Sequence, residues 1–371
     1  MYSISYIAIM CILIFSSFIG TTSYLLFQRV RQNAVVVSLF GMLIGGIVLF
    51  LYLILKKNMK DMNIIEYNKF VFGNFFGNVI NIIISLSIFF IASVFLENIA
   101  NFINTNYLID TSILYIKILL LCPVIYAASQ KVTTISNIAV IIVIIDLLII
   151  FVSFFGMQPQ LKFERIYPLL SCGLKQTIYS SLIYVIGGTF LVFLLNIVSK
   201  KERYEDKALS KKIILAYFIS NICCIVVIFF TVAVLGEDLI YIYDFPEYFI
   251  TQEFSLFSII ERVENTLCLA FIFNEFFTLS FMIYFISKSI SNMFKLDLND
   301  VGEKLHKNKN LYFVIPMIIG ILLIIFTTKF YTSQVKLNEI IEKYYIKFIL
   351  FTFILPMVCS AVWGILKKHK V

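Results

Sequence analysis

The chain has 371 residues, 61% of them hydrophobic and only 14% charged, with a mean hydropathy of +0.96. Soluble domains average about 45–50% apolar and about 25% charged residues, so a soluble globular enzyme is excluded, as is a disordered or fibrous chain. The apolar runs are continuous rather than alternating, which argues against an outer-membrane β-barrel and leaves a polytopic α-helical membrane protein.

Runs of about 18 or more apolar residues predict ten transmembrane segments, at 5–27, 33–55, 76–103, 111–128, 134–156, 176–198, 212–235, 259–290, 311–328 and 345–366. The first lacks the basic flank and small-residue cleavage site of a signal peptide and reads as a membrane helix. Alternate connections collect 19 Lys and Arg on one side and 10 on the other. The richer side is expected to be cytoplasmic, which places both termini inside. The net charge of +8 is then a topology signal, and no nucleic-acid partner is expected. The 236–258 connection, external on this reading, is acidic and aromatic, with no Lys or Arg.

The first segment is interrupted by Ile19-Gly20-Thr21-Thr22-Ser23, and the sixth by Ile186-Gly187-Gly188-Thr189. Gly and clustered hydroxyl residues are poor mid-helix choices. Matched interruptions in the first and sixth of ten helices point to a five-plus-five inverted repeat, 1–156 and 157–371 within one transmembrane domain, with a binding site at the midplane. Half-helix N-termini would face a substrate carboxylate, and freed carbonyls a cation or ammonium. The candidate substrate-binding residues are Gly20, Thr21, Thr22, Tyr184, Gly187, Gly188, Thr189 and Asn274. The competing reading is that the glycines only permit close helix packing, which is the expectation for Gly41, Gly45 and Gly46 in the second segment.

Three acids fall inside predicted spans: Glu97, Asp146 and Glu275. Each is expected to be paired, protonated or set in a cavity, as a proton site, an ammonium site or a structural hydrogen bond. Lys117, near a helix end, is expected to snorkel. Glu261, Arg262 and Glu264 open the eighth segment and read as a charged external lid or gate. The Tyr241, Tyr243, Phe245, Tyr248 and Phe249 cluster reads as an interfacial aromatic belt or a docking surface. Seven Cys show no CxxC or Cys/His spacing, and the two His, His306 and His369, stand beside lysines. No metal site, cofactor or catalytic nucleophile–base pair is expected.

With the interrupted first segment and the ten-helix pattern, two further stretches carry a family resemblance. Residues 165–175, RIYPLLSCGLK, resemble the N-L-L-P-L-L-G-E-G-L stretch before the sixth helix of the endospore germination permeases. Residues 257–264, FSIIERVE, resemble their F-I-E-R-I-E/D stretch. These proteins are the B subunits of spore germinant receptors, in the amino acid–polyamine–organocation superfamily. The chain departs from the family pattern at Thr22 and at Thr189, where relatives often carry Gly and an acid. The resemblance implies a LeuT-type fold in the spore inner membrane. It also implies a receptor for a small nutrient germinant, typically an amino acid, acting with an A-type membrane subunit and a C-type lipoprotein subunit. A proton-coupled amino acid permease and a non-binding scaffold subunit are the alternatives.

Overall fold

A computed structural model describes residues 3–59, 61–199, 208–252, 264–294 and 309–368. Among the described residues every regular element is helical. The first segment is split into α1 (Ser3–Ser17) and α2 (Ser23–Val30). A tight turn at Arg31–Asn33 leads to α3 (Ala34–Asn58), the second segment, and then to a short α4 (Ile64–Phe72). The third to fifth segments are α5 (Asn74–Asn106), α6 (Ile113–Ala128) and α7 (Val132–Met157). The sixth is α8 (Gly173–Thr189), continued by a 3₁₀ stretch over Phe190–Ile197, and the seventh is α9 (Leu209–Leu235). Two short helices follow, α10 (Glu237–Ile240) and α11 (Pro246–Gln252). Then come α12 (Glu264–Met293) and α13 (Lys309–Phe330), the eighth and ninth segments. The tenth runs through α14 (Gln334–Ile340), α15 (Ile346–Ile349) and α16 (Leu355–Lys368), joined by widened π-type turns.

These segments are the ten that hydropathy predicts, and lipid explains their surfaces. Leu43, Ile47 and Phe50 of α3 are 62–65% exposed at spacings of four and three residues, a stripe one helical face wide. In water such a stripe would aggregate, whereas in a bilayer it is the lipid contact. α1 is the opposite case, with Ile9, Met10, Ile12 and Leu13 wholly buried. It runs through the middle of the bundle and touches α7, α8, α9 and α12. Around it α3 packs on α8, α5 on α12, and α6 on both α12 and α13. Gly41 of α3 permits one of these approaches, because a Cβ there would stand 2.5 Å from Cδ1 of Tyr184; the packing expectation for this glycine holds.

Three elements differ from the sequence expectation. The tenth segment begins at Gln334 rather than at 345, since Lys336, Glu339, Glu342 and Lys343 lower the hydropathy of its first turns without breaking the helix. α4 falls between the second and third predicted segments. Its start is a capping box, in which the Glu66 N–H donates to Asn63 Oδ1 at 3.0 Å and the Asn63 N–H to Glu66 Oε2 at 3.2 Å. Asn68 of α4 then donates to Asn81 Oδ1 at 2.7 Å and accepts from Ser360 Oγ at 2.7 Å, which ties α4 to α5 and α16. α11 also lay in an expected loop, and it closes one end of the site described next.

Candidate functional site

The helix breaks at two residues. Ile19 is extended (φ −67°, ψ 132°) and Gly20 adopts φ +74°, while the flanking residues stay helical. Glycine is required there twice over. The positive φ disfavours other residues, and an added Cβ would lie 2.7 Å from Asn98 Nδ2 and 3.1 Å from Cε1 of Phe245. The polar groups at the break are satisfied locally. The Gly20 N–H donates to Ser23 Oγ at 3.2 Å, and the Thr21 and Thr22 hydroxyls donate to the Ser17 carbonyl at 2.9 and 2.7 Å. This local closure is what an interruption inside a bilayer needs.

The sixth segment is interrupted differently. It does not open but tightens from α to 3₁₀ after Thr189. Ser17 Oγ donates to the Gly188 carbonyl at 2.7 Å, which joins the two irregular segments. A Cβ on Gly187 would stand 2.5 Å from Thr22 Oγ1. The Thr189 hydroxyl donates to the Val185 carbonyl at 2.5 Å, and the Tyr184 hydroxyl to Asn221 Oδ1 at 2.7 Å. Tyr184, Gly187, Gly188 and Thr189 thus sit in the seam where α8 meets the first, second and seventh segments.

Beside the break lies a cavity of about 110 Å³. Its walls come from Phe15, Phe18 and Ile19 of the first segment, Phe102 of α5, and Asp146, Ile149 and Ile150 of α7. Cys223, Cys224 and Phe230 of α9, Phe245, Glu247, Tyr248, Ile250 and Thr251 around α11, and Ala270, Phe271 and Asn274 of α12 also line it. No lining residue comes from α8. Helices α7 and α9, which the glycine argument passed over, supply much of the wall.

Two polar side chains from the packed helices α7 and α12 meet in this cavity. Asn274 Nδ2 donates to Asp146 Oδ1 at 3.0 Å, and both side chains are at least 95% buried. Asp146 Oδ2 and Asn274 Oδ1 are left without a hydrogen-bond partner among the described residues. Ser16 fixes the neighbouring backbone, its hydroxyl donating to the Asn274 carbonyl at 3.1 Å and lying 2.6 Å from Thr278 Oγ1.

The other intramembrane acids lie elsewhere. Glu275 follows Asn274 on α12, is 2% exposed, and lies near the Tyr345 hydroxyl of the tenth segment. Glu97 pairs with Lys117 at 2.5 Å, and each side chain is 3% exposed. The expectation that Lys117 snorkels is therefore overturned. Adjacent helices α5 and α6 place this cation against a buried carboxylate, and the pair neutralises two charges that neither helix could carry alone. Asn101 Nδ2 approaches Glu97 Oε1 at 3.4 Å. Of the gate candidates, Glu261 and Arg262 lie outside the described residues. Glu264 begins α12, with its side chain outside the description.

The aromatic cluster of the 236–258 connection divides. Tyr241 stays outward, 37% exposed, with the Arg31 guanidinium 4.6 Å over its ring. Phe245 and Tyr248 turn inward and form edge-on contacts with Phe102 at 5.0 Å, where Phe271 joins at the same distance. The belt reading fails for Phe245, which is 9% exposed, whereas Tyr248 is half-buried. With them comes Glu247, an acid that sequence reasoning did not single out. It is 7% exposed, and neither carboxylate oxygen has a hydrogen-bond partner among the described residues. Burial pushes its carboxyl up to about 7, an effect that the Ser23 hydroxyl beside it partly offsets. Its place, with Asp244, amid five aromatics in a base-free connection was the one signal available.

A family model described as spore germination protein matches residues 4–335. No curated protein matches the chain. Among solved structures, a manganese transporter of Eremococcus coleocola, in complex with an aromatic bis-isothiourea substituted compound, is similar with a TM-score of 0.60 at 13% identity. The match covers 96% of this chain and 78% of that one. At that identity the likeness concerns the fold alone, which is LeuT-like with a broken first helix. The chain belongs to the spore germination protein family, and its fold is that of a membrane permease.

Proposed function

We infer that the chain is the membrane subunit of a spore germinant receptor. A small nutrient germinant, with amino acids the leading class, binds in the cavity beside the Ile19–Gly20 break, and the bound state passes to A-type and C-type partner subunits. The supporting observation is the meeting of Asp146 and Asn274, with one unpartnered oxygen each, in an apolar cavity against the break. Ligand binding shifts a rocking equilibrium only by its differential affinity for the two states. A site made by separate helices and a capping α11 changes shape when those elements move. On this reading 1–156 and 157–371 are the two repeats, the termini face the cytoplasm, the 236–258 connection faces outward, and the membrane is the spore inner membrane.

Deleting the gene in a spore former should abolish the response to at least one nutrient, read as loss of refractility. Spores that germinate normally with every nutrient would refute the assignment. The second reading is a proton-coupled amino acid permease, favoured by the unpartnered Asp146 Oδ2. Uptake of labelled amino acids into proteoliposomes with an imposed proton gradient tests it, and a flat time course rejects it. Manganese has less support as a cargo, because the described residues hold no group of three His, Cys, Asp or Glu side chains placed to bind a metal ion.

A further inference from the structure

The polar groups of the cavity are unequally committed. Most of its side-chain donors are engaged: one Asn274 Nδ2 hydrogen goes to Asp146 at 3.0 Å, the Tyr248 hydroxyl to Tyr107 at 2.7 Å, and the Thr251 hydroxyl to the Tyr248 carbonyl at 2.6 Å. At the adjoining break the Gly20 N–H and both threonine hydroxyls are also used. The oxygens left over are Asp146 Oδ2, Asn274 Oδ1 and both carboxylate oxygens of Glu247. No Lys or Arg lines the space. A ligand carboxylate entering here would meet two acids and no Lys or Arg to balance its charge, and burying it unpaired is costly. An ammonium group meets the opposite: spare acceptors, two acids to balance its charge, and aromatic faces such as Phe102 and Phe245 that favour a cation.

We propose that this cavity recognises an apolar primary amine, held as its ammonium between Asp146 and Glu247, in preference to the corresponding amino acid. This rests on the cavity being the germinant site, and it puts apolar amines in place of amino acids as the leading ligand class. The space suits a small body. About 110 Å³, at roughly 10–15 Å³ per water-sized position, holds about seven to eleven such positions, enough for a five-carbon chain with one nitrogen. Glu247 is the new residue in this scheme. It reaches the cavity from α11, outside the ten spans, and so couples occupancy to closure of that end.

The test uses the full chain purified into lipid nanodiscs and titrated at pH 7.5 by calorimetry with isoamylamine and with leucine, the same body with and without the carboxylate. Isoamylamine is expected to bind at least tenfold more tightly than leucine. Glu247→Gln, which removes charge without changing volume, is expected to weaken isoamylamine at least tenfold while the thermal unfolding midpoint is kept. Leucine binding as tightly as isoamylamine, or tighter, overturns the proposal. So does unchanged isoamylamine affinity in Glu247→Gln. Leucine bound with isoamylamine refused sinks the amine reading and leaves the nutrient site standing, whereas neither bound by folded protein sinks both. The wild-type comparison decides even if the variant proves unstable.

Discussion

The Glu97–Lys117 pair offers the cleanest test of the interior electrostatics. Its groups are 2.5 Å apart and almost wholly buried, on helices that pack side by side. Lys117→Met keeps most of the apolar stem and removes the charge, which leaves Glu97 with only the 3.4 Å contact from Asn101. Removing one partner of a buried pair costs about 3–5 kcal/mol, roughly a hundredfold or more in the folding equilibrium. Glu97→Gln alone strands Lys117 in the same way. The double variant strands neither, and replacement of whole buried pairs by neutral groups is close to neutral or stabilising. A cycle of the four proteins, unfolded by heat or denaturant in one detergent, should therefore show two unstable singles and a double near wild type, with a coupling of about 2 kcal/mol or more. Lys117→Met within about 0.5 kcal/mol of wild type would show that the lysine reaches water after all. A double variant as poor as the sum of its singles would show that the two side chains act separately.

Three other predictions follow from particular contacts. Gly20→Ala places a Cβ at φ +74°, 2.7 Å from Asn98 Nδ2; it should lose about 1–3 kcal/mol of stability and the nutrient response, and a response at wild-type nutrient concentrations would remove the break from the site. Gly187→Ala meets Thr22 at 2.5 Å through Oγ1 but at 3.3 Å through Cβ. Adding Thr22→Ala should therefore restore most of the lost unfolding midpoint, and a double variant no better than the single would place the strain elsewhere. Ligand binding should also depend on pH through Glu247. Its carboxyl rises from the usual 4.5 to about 7, so folding favours the neutral acid: that contribution to stability is full below about 4.5 and lost as pH rises through 7. An alkylammonium keeps its charge over this range, so its affinity should climb between about pH 6 and 8 as Glu247 ionises. The climb should flatten in Glu247→Gln, and a slope unchanged in that variant would assign it to another group, Asp146 being the acid that shares the cavity.

Hydropathy located the ten spans because crossing a bilayer demands about 20 apolar residues whatever the helix packs against. The same demand hides the faces. Along the cavity wall α7 and α9 are almost uniformly apolar, so hydropathy does not separate their cavity faces from their lipid faces, and Asp146 is the one charged residue they bring to the lining. The break at Gly20 was legible because glycine and hydroxyl residues cost stability in a helix that needs none of them. The same signature at Gly187 meant something else, since close approach to Thr22 also selects glycine; composition alone does not separate a backbone that opens from one that another side chain crowds. The Lys117–Glu97 pair eluded the reading for a related reason. On its own helix an isolated lysine near an end snorkels, and only the packing of α5 on α6 decides that it turns inward.

Glu247 is the case with most consequence. An acid in an acidic connection looks like solvated surface, and most such acids are. What separates it is that α11 folds back over the cavity, with Phe245 against the Gly20 backbone and Tyr248 against Phe102. The aromatics bury the acid, and the acid gives an otherwise apolar cap its only charge among the described residues of α11. A cap built from rings alone would close on any apolar solute. One that carries an unpartnered carboxylate closes at a cost unless a cation or a proton meets it. Closure of α11 and the chemistry of the ligand are therefore linked through one side chain, and that link is what a receptor needs if occupancy is to change its shape.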